Sequence, residues 1–266
     1  MSGLRDRTQA LTWLLLVSML WVPARLHATG QPRQNLMVAA AVSLKDVLEE
    51  IGAAFEKDHP TFRVTFHFAS SGALQQQIEQ GAPVDVFISA AARHMEALGQ
   101  KQLLLLDSLQ NLCSNELVLI VPQNAAAPKH PEDLKNPGFK RIALGEARTV
   151  PAGQYAEAWL KNLGLYAALQ PRLVPAANVR QVLTFVASGN VSAGLVYASD
   201  ARTSSQVKVA LRADPSLHPP ISYPLAILKK SKQAQAAGNF AKFLQSDKAR
   251  SLLLKHGFLL PTGKAS

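Results

Sequence analysis

The chain has one cysteine, Cys113, among its 266 residues. It can form no internal disulfide, so its fold must rest on packing. Long apolar runs are scarce too. The one from Leu11 to Val22 is broken by Pro23, short of the ~20 residues that a membrane-spanning helix needs. The seven histidines and the single cysteine show no metal-ligand spacing, which argues against a bound metal cation. No Gly-x-Ser-x-Gly elbow occurs, and no grouping of serine, histidine and acid suggests a hydrolase. Basic residues outnumber acidic ones, 28 to 18, yet they are spread out, without the aromatic-interleaved basic stripe of a nucleic-acid binder. No internal repeat and no long low-complexity linker divides the chain.

What is present begins with an export signal. Arg5 and Arg7 precede the apolar run, and small residues follow it at Ala24 and Ala28. A basic start, a short apolar stretch and small residues make a secretory signal peptide. Cleavage after Ala24 or Ala28 fits, and Ala28 is favoured; a retained N-terminal anchor is the competing reading. The absence of cysteine there speaks against a lipid anchor. Removing residues 1–28 takes away Arg5, Asp6, Arg7 and Arg25, which leaves 238 residues and a net charge of +8 in place of +10. Such a chain can bury one large core or two modest ones, and its charge favours anions at long range. The expected compartment is the periplasm.

From residue 35 onward, short apolar strands alternate with amphipathic helices. Strands are expected over 36–39, 63–68, 84–88, 117–121, 141–144, 194–197, 207–211 and 223–228. Leu44, Val47, Leu48, Ile51 and Phe55 mark one helix face, with Ser43 and Asp46 as its capping box. Helices are expected to open at Ser71 and Gly72, and over 151–163, 179–188, 232–244 and 247–256. Pro151 suits a first turn, and Asn178 suits a cap with Gln181 three residues on. Alternation of this length argues for an α/β protein with largely parallel sheets. Cys113, just ahead of a strand, reads as a semi-buried structural thiol.

Five segments place a small or hydroxyl residue where a strand runs into a helix. They lie at 39–44, 68–72, 149–153, 177–180 and 194–198. Helix N-termini present unpaired N–H groups and about half a positive charge, so several together make an anion site. Ser43 and Ser71 add a hydroxyl and an amide each, Ala152 and Val179 an amide only, and Tyr197 a phenol. All five donate and none is charged. The set suits a fully deprotonated tetrahedral dianion such as molybdate, tungstate or sulfate. Hydrogen phosphate would leave its own O–H unpaired, at about 1–3 kcal/mol.

The order of these segments, with Gly81-Ala82-Pro83-Val84-Asp85-Val86-Phe87-Ile88-Ser89-Ala90 between them, resembles the periplasmic molybdate-binding proteins of molybdate ABC importers. The similarity runs from about Leu36 to Phe258. It implies a type II-like periplasmic binding protein fold: two lobes, each a mostly parallel sheet flanked by helices, joined by a hinge. The lobes fall at 33–116 plus 228–264 and at 117–227. The resemblance further implies that Ser43, Ser71, Ala152, Val179 and Tyr197 hold molybdate or tungstate as an oxyanion. It implies a membrane permease as partner, a monomer, no further cofactor and no catalysis.

Alternatives stay open at this level. Sulfate and thiosulfate are also proton-free, and only cleft size would separate them; a secreted serine hydrolase is a remote reading. Ala91 and Arg93 stand where related chains often carry an acidic residue. Arg148 and Arg180 flank the site segments and read as solvated surface arginines that could also steer anions.

Overall fold

The alternation of apolar and amphipathic segments sorts into two five-stranded sheets. The structure, a computed structural model, describes residues 33–261; the proposed export segment and its cleavage site lie outside that range. The first sheet has the order β2-β1-β3-β10-β4, formed by β1 (Gln34–Ala41), β2 (Phe62–Ala69), β3 (Val86–Ile88), β4 (Leu104–Asn111) and β10 (Pro224–Leu228). The second has the order β7-β6-β8-β5-β9, formed by β5 (Leu117–Pro122), β6 (Ile142–Gly145), β7 (Leu173–Ala176), β8 (Ala193–Tyr197) and β9 (Val207–Arg212).

Both sheets are mixed rather than mostly parallel. In the first, β1 runs parallel to β2 and β3, while β10 is antiparallel to β3 and β4. In the second, β6 runs parallel to β7 and β8, while β5 is antiparallel to β8 and β9. The antiparallel strands are the ones the chain enters on passing between sheets. A strand delivered from the other sheet needs no helical crossover, so it is free to run in the opposite direction.

Helices cover both faces of the first sheet, and the period-2 alternation of β1 shows how. Leu36, Val38 and Ala40 face a core shared with α1 (Lys45–Asp58), α8 (Ala234–Leu244) and α9 (Asp247–Lys255), where Phe55 meets Phe240 edge-on at 5.2 Å. Ala39 points to the opposite face, into a smaller cluster with Leu74 and Ile78 of α2 (Ser71–Glu79) and Met95 and Leu98 of α3 (Ala92–Gln100). On the second sheet, α4 (Pro151–Asn162) and α6 (Val179–Ala187) both pack on β6 and β8. Two short helices, α5 (Tyr166–Leu169) and α7 (Ala198–Ala201), complete it. Gly153 lets α4 sit against β6: a Cβ there would fall 1.9 Å from the carbonyl oxygen of Gly145.

The two passages between sheets are paired with each other. Leu112 N–H donates to the Tyr223 carbonyl and Tyr223 N–H to the Cys113 carbonyl, each at 2.9 Å. Because β10 starts at Pro224 and belongs to the first sheet, the return crossing precedes Pro224. Cys113 is fully buried rather than semi-buried, and burial pushes its thiol well above the ordinary range.

Some local expectations differ. Ser43 does not cap α1, whose start at Leu44 has no side-chain cap; Ser43 lies in a 3-10 turn, Val42–Leu44, that leads into the helix. Asp46 bonds to Arg180 instead. At α6 the expected cap is present: Asn178 accepts from Gln181 N–H at 3.0 Å, while Gln181 Oε1 accepts from Ala177 N–H at 2.6 Å. β4, β7 and α3 lie outside the expected elements, and His94 is buried on α3.

Candidate functional site

β1, β2 and β8 all end beside one cavity, at their C-terminal edges, the usual place for a ligand in open α/β sheets. The cavity has only about 10 Å³ of free volume and is lined by Ser43, Ser71, Ala152, Val179 and Tyr197, together with flanking residues such as Ser70 and Ala90. All five sequence-predicted site residues are thus brought together. Each is nearly inaccessible, at 0–3% exposure. The first sheet supplies Ser43 and Ser71; the second supplies Ala152, Val179 and Tyr197. The space is small beside the ~300–1,000 Å³ of sites for organic ligands, so it selects a compact guest.

The backbone supplies donors. Ser71 and Val179 are the first residues of α2 and α6, Ala152 is the second of α4, and Ser43 lies in the turn before α1. N–H groups at such positions have no intrahelical acceptor. The residues preceding the turn, α2 and α4 (Ala41, Ser70 and Val150) make no side-chain cap bond either. Buried helix starts left this way present amide protons and positive dipole ends to one point.

The side chains add protons of the same polarity. Ser71 Oγ accepts from Ala90 N–H at 2.9 Å, which leaves its own proton to donate. Ser43 Oγ lies 3.1 Å from the hydroxyl of Tyr223. Tyr197 Oη is buried and has no hydrogen-bond partner among the described residues. Burial, with Tyr223 and Tyr155 nearby, holds the Tyr197 phenol well above its ordinary range. It therefore stays protonated and can donate.

Charge is kept off the cavity. Arg180 is no solvated surface arginine: its guanidinium reaches Asp46 Oδ2 and Asp200 Oδ1, each at 2.5 Å. Two carboxylates more than neutralise it, so it is not a free cation for the guest. Arg148 is 88% exposed and pairs only with Glu146, as a surface arginine would. Arg93, on α3, reaches the turn between β6 and α4, donating to the carbonyls of Ala147 and Arg148 at 2.8 and 3.1 Å. Among the described residues, no group of His, Cys, Asp and Glu could hold a metal ion.

Residues that the sequence did not flag surround the five. Tyr223, Asn115 and Ser199 are buried polar groups behind Ser43 and Tyr197. Their sole sequence signal is a polar residue next to an apolar strand, which carries little weight alone.

The family model of bacterial extracellular solute-binding proteins matches residues 36–259. The chain belongs to the bacterial extracellular solute-binding proteins. Its relatives include YvgL of Bacillus subtilis, designated a substrate-binding lipoprotein of an ABC transporter, at 39% identity over 86% of this chain and 88% of that one. The molybdate-binding protein ModA of Haemophilus influenzae is 36% identical over 84% of this chain and 89% of its own. Among solved structures, the periplasmic molybdate-binding protein of Azotobacter vinelandii superposes with a TM-score of 0.79 at 26% identity, covering 85% of this chain and all of the other. This solute-binding protein captures a substrate for an ABC importer, in a family that works outside the cytoplasm and performs no catalysis. The periplasmic binding protein fold implied by the resemblance is the fold observed.

Proposed function

We propose that this protein captures molybdate or tungstate and delivers it to the membrane permease of an ABC importer. The observation that carries this reading is the donor set. Ser43, Ser71, Ala152, Val179 and Tyr197 line one small buried cavity with hydroxyl and amide protons, and no acidic or basic side chain lines it. A dianion can leave water for neutral dipoles only if its oxygens are nearly all hydrogen-bonded. A guest bearing a proton would have to turn one of these hydroxyls from donor into acceptor, which disfavours hydrogen phosphate. The ModA relatives, named for molybdate, point the same way.

In this reading each sheet with its helices forms a lobe, and the paired passages act as the hinge. Ser43 and Ser71 hold the anion from one lobe; Ala152, Val179 and Tyr197 hold it from the other. The chain works as a periplasmic monomer after removal of its N-terminal signal. Calorimetric titration of the purified mature chain with molybdate, tungstate, sulfate and phosphate tests this. Tight binding of the first two, with sulfate weaker and phosphate silent, is expected. Preference for sulfate, or tight binding of phosphate, overturns the assignment.

A further inference from the structure

We propose that Tyr223 is a positioning residue that fixes the direction of the Ser43 hydroxyl, so that Ser43 is locked as a donor toward the captured anion. This rests on the reading of the cavity as an oxyanion site. The chain of hydrogen bonds starts at Asn115. Its Oδ1 accepts from Glu116 N–H at 2.9 Å, and a backbone N–H can only donate, so the orientation of the side-chain amide is settled. Nδ2 then faces two hydroxyls, Ser199 Oγ at 2.8 Å and Tyr223 Oη at 3.4 Å.

With Asn115 donating to it, the Tyr223 oxygen acts as acceptor and its own proton needs a place to go. Ser43 Oγ lies 3.1 Å away, in a contact where either hydroxyl can donate, and the neighbouring Tyr197 hydroxyl makes no hydrogen bond to it by geometry; on this proposal Tyr223 takes the donor's part. Ser43 Oγ thus receives a proton from behind, and its own proton is left for the cavity that Ser43 lines. A free hydroxyl rotates to suit any partner. A hydroxyl fed from behind is set before the guest arrives, which spares the cost of ordering it on binding.

The placement suits this role. Tyr223 is fully buried and Asn115 nearly so, and both lie on the passages between the sheets rather than on the helices that open at the site. The ring of Tyr223 also packs on Tyr197 at 5.8 Å. The donor character of the site is therefore supported from the crossing segments, at a residue that does not itself line the cavity.

Sodium molybdate titrations of wild type, Tyr223→Phe, Ser43→Ala and the double variant, with ligand-free melts as a folding control, decide the matter. Tyr223→Phe is expected to weaken molybdate binding about ten-fold, or about 1.4 kcal/mol. In the Ser43→Ala background the same change should cost less than about two-fold, because Tyr223 acts through Ser43. An equal loss in both backgrounds makes Tyr223 a packing residue and overturns the proposal, as does no loss in the single variant. Should Tyr223→Phe not fold, Asn115→Ala must show the same non-additivity. If wild type binds sulfate but not molybdate, the guest is misassigned, and the same cycle run with sulfate decides the role of Tyr223. If wild type binds neither, the oxyanion reading fails and Tyr223 loses its role with it.

Discussion

Arg180, at the start of α6, and Asp46, in the first turn of α1, form an ion pair of 2.5 Å between helices of different sheets. Nε of the same guanidinium holds Oδ1 of Asp200, which is fully buried and whose Oδ2 has no hydrogen-bond partner among the described residues. The two bonds are unequal in worth. Arg180→Ala strands a buried carboxylate and should cost about 3 kcal/mol or more of stability. Asp46 is 41% exposed, so Asp46→Asn should cost less than about 1 kcal/mol. Urea denaturation of both variants checks the ranking; equal losses would contradict it.

A second prediction concerns acid. Burial, and then the charge of Arg93, lower His94 to about 4. The geometry agrees: Nδ1 lies 2.6 Å from Gln75 Oε1, and Nε2 accepts from Arg93 Nε at 3.3 Å, so a second ring proton would face a cation. Between about 4 and 6.5 the unfolded chain binds the extra proton at His94, so stability rises with pH. Asp200 runs the other way. Burial raises it to about 6 against the pull of Arg180, the folded chain binds the extra proton between about 4 and 6, and stability falls as pH rises. The two slopes oppose each other in wild type. His94→Gln should expose the falling slope and Asp200→Asn the rising one, as read by urea denaturation at pH 4 and 6.5. Slopes identical to wild type in both variants would remove these groups from the balance.

Much of the scaffold was legible because local periodicity reflects burial. The face Leu44, Val47, Leu48, Ile51 and Phe55 is fully or almost fully buried on α1, and the caps at Pro151 and Asn178 are where residue type placed them. What misled was sequence-distant pairing. Asp46 looks like half of a capping box until Arg180, 134 residues on, takes its carboxylate. β4 carries no alternation to read: it is an edge strand with Leu106 and Leu109 exposed. The five site residues were picked by donor chemistry and by order along the chain. Tyr223 and Asn115 escaped because hydrogen bonds between remote buried groups leave no local pattern.

Gly72 tests contact across the cleft. Its N–H donates to the Thr149 carbonyl at 2.9 Å, and an added Cβ would lie 2.6 Å from Thr149 Cα and 2.7 Å from its oxygen. These are backbone atoms and cannot swing aside. Gly72→Ala should hold the Ser71 and Thr149 segments apart, at about 1–3 kcal/mol, which on the proposed function lowers molybdate affinity roughly 5- to 150-fold. The melting temperature of the ligand-free protein should change little, since the strand pairing within each sheet is untouched. Calorimetry beside a thermal melt separates the two effects, and full affinity in the variant would show that this contact is not needed for capture.

Tyr197 offers the sharpest separation of stability from binding. Its hydroxyl is buried without a partner among the described residues, and an unsatisfied buried polar atom costs about 1–3 kcal/mol. Its ring packs against Tyr223 and Tyr155, with centroids at 5.8 and 6.4 Å, and phenylalanine preserves that packing. Tyr197→Phe should therefore leave the ligand-free protein as stable as wild type or more so. On the proposed function the same change removes a donor to the anion and should weaken molybdate binding by about 1.5–3 kcal/mol, roughly 10- to 150-fold. Melts with and without molybdate would show the signature directly, as a ligand-free temperature that holds or rises and a ligand-induced gain that shrinks. A loss of ligand-free stability would mean that the hydroxyl has a partner inside the fold. Undiminished affinity would take Tyr197 out of the site, because a hydroxyl this deeply buried and otherwise unpaired serves only if the guest receives its proton.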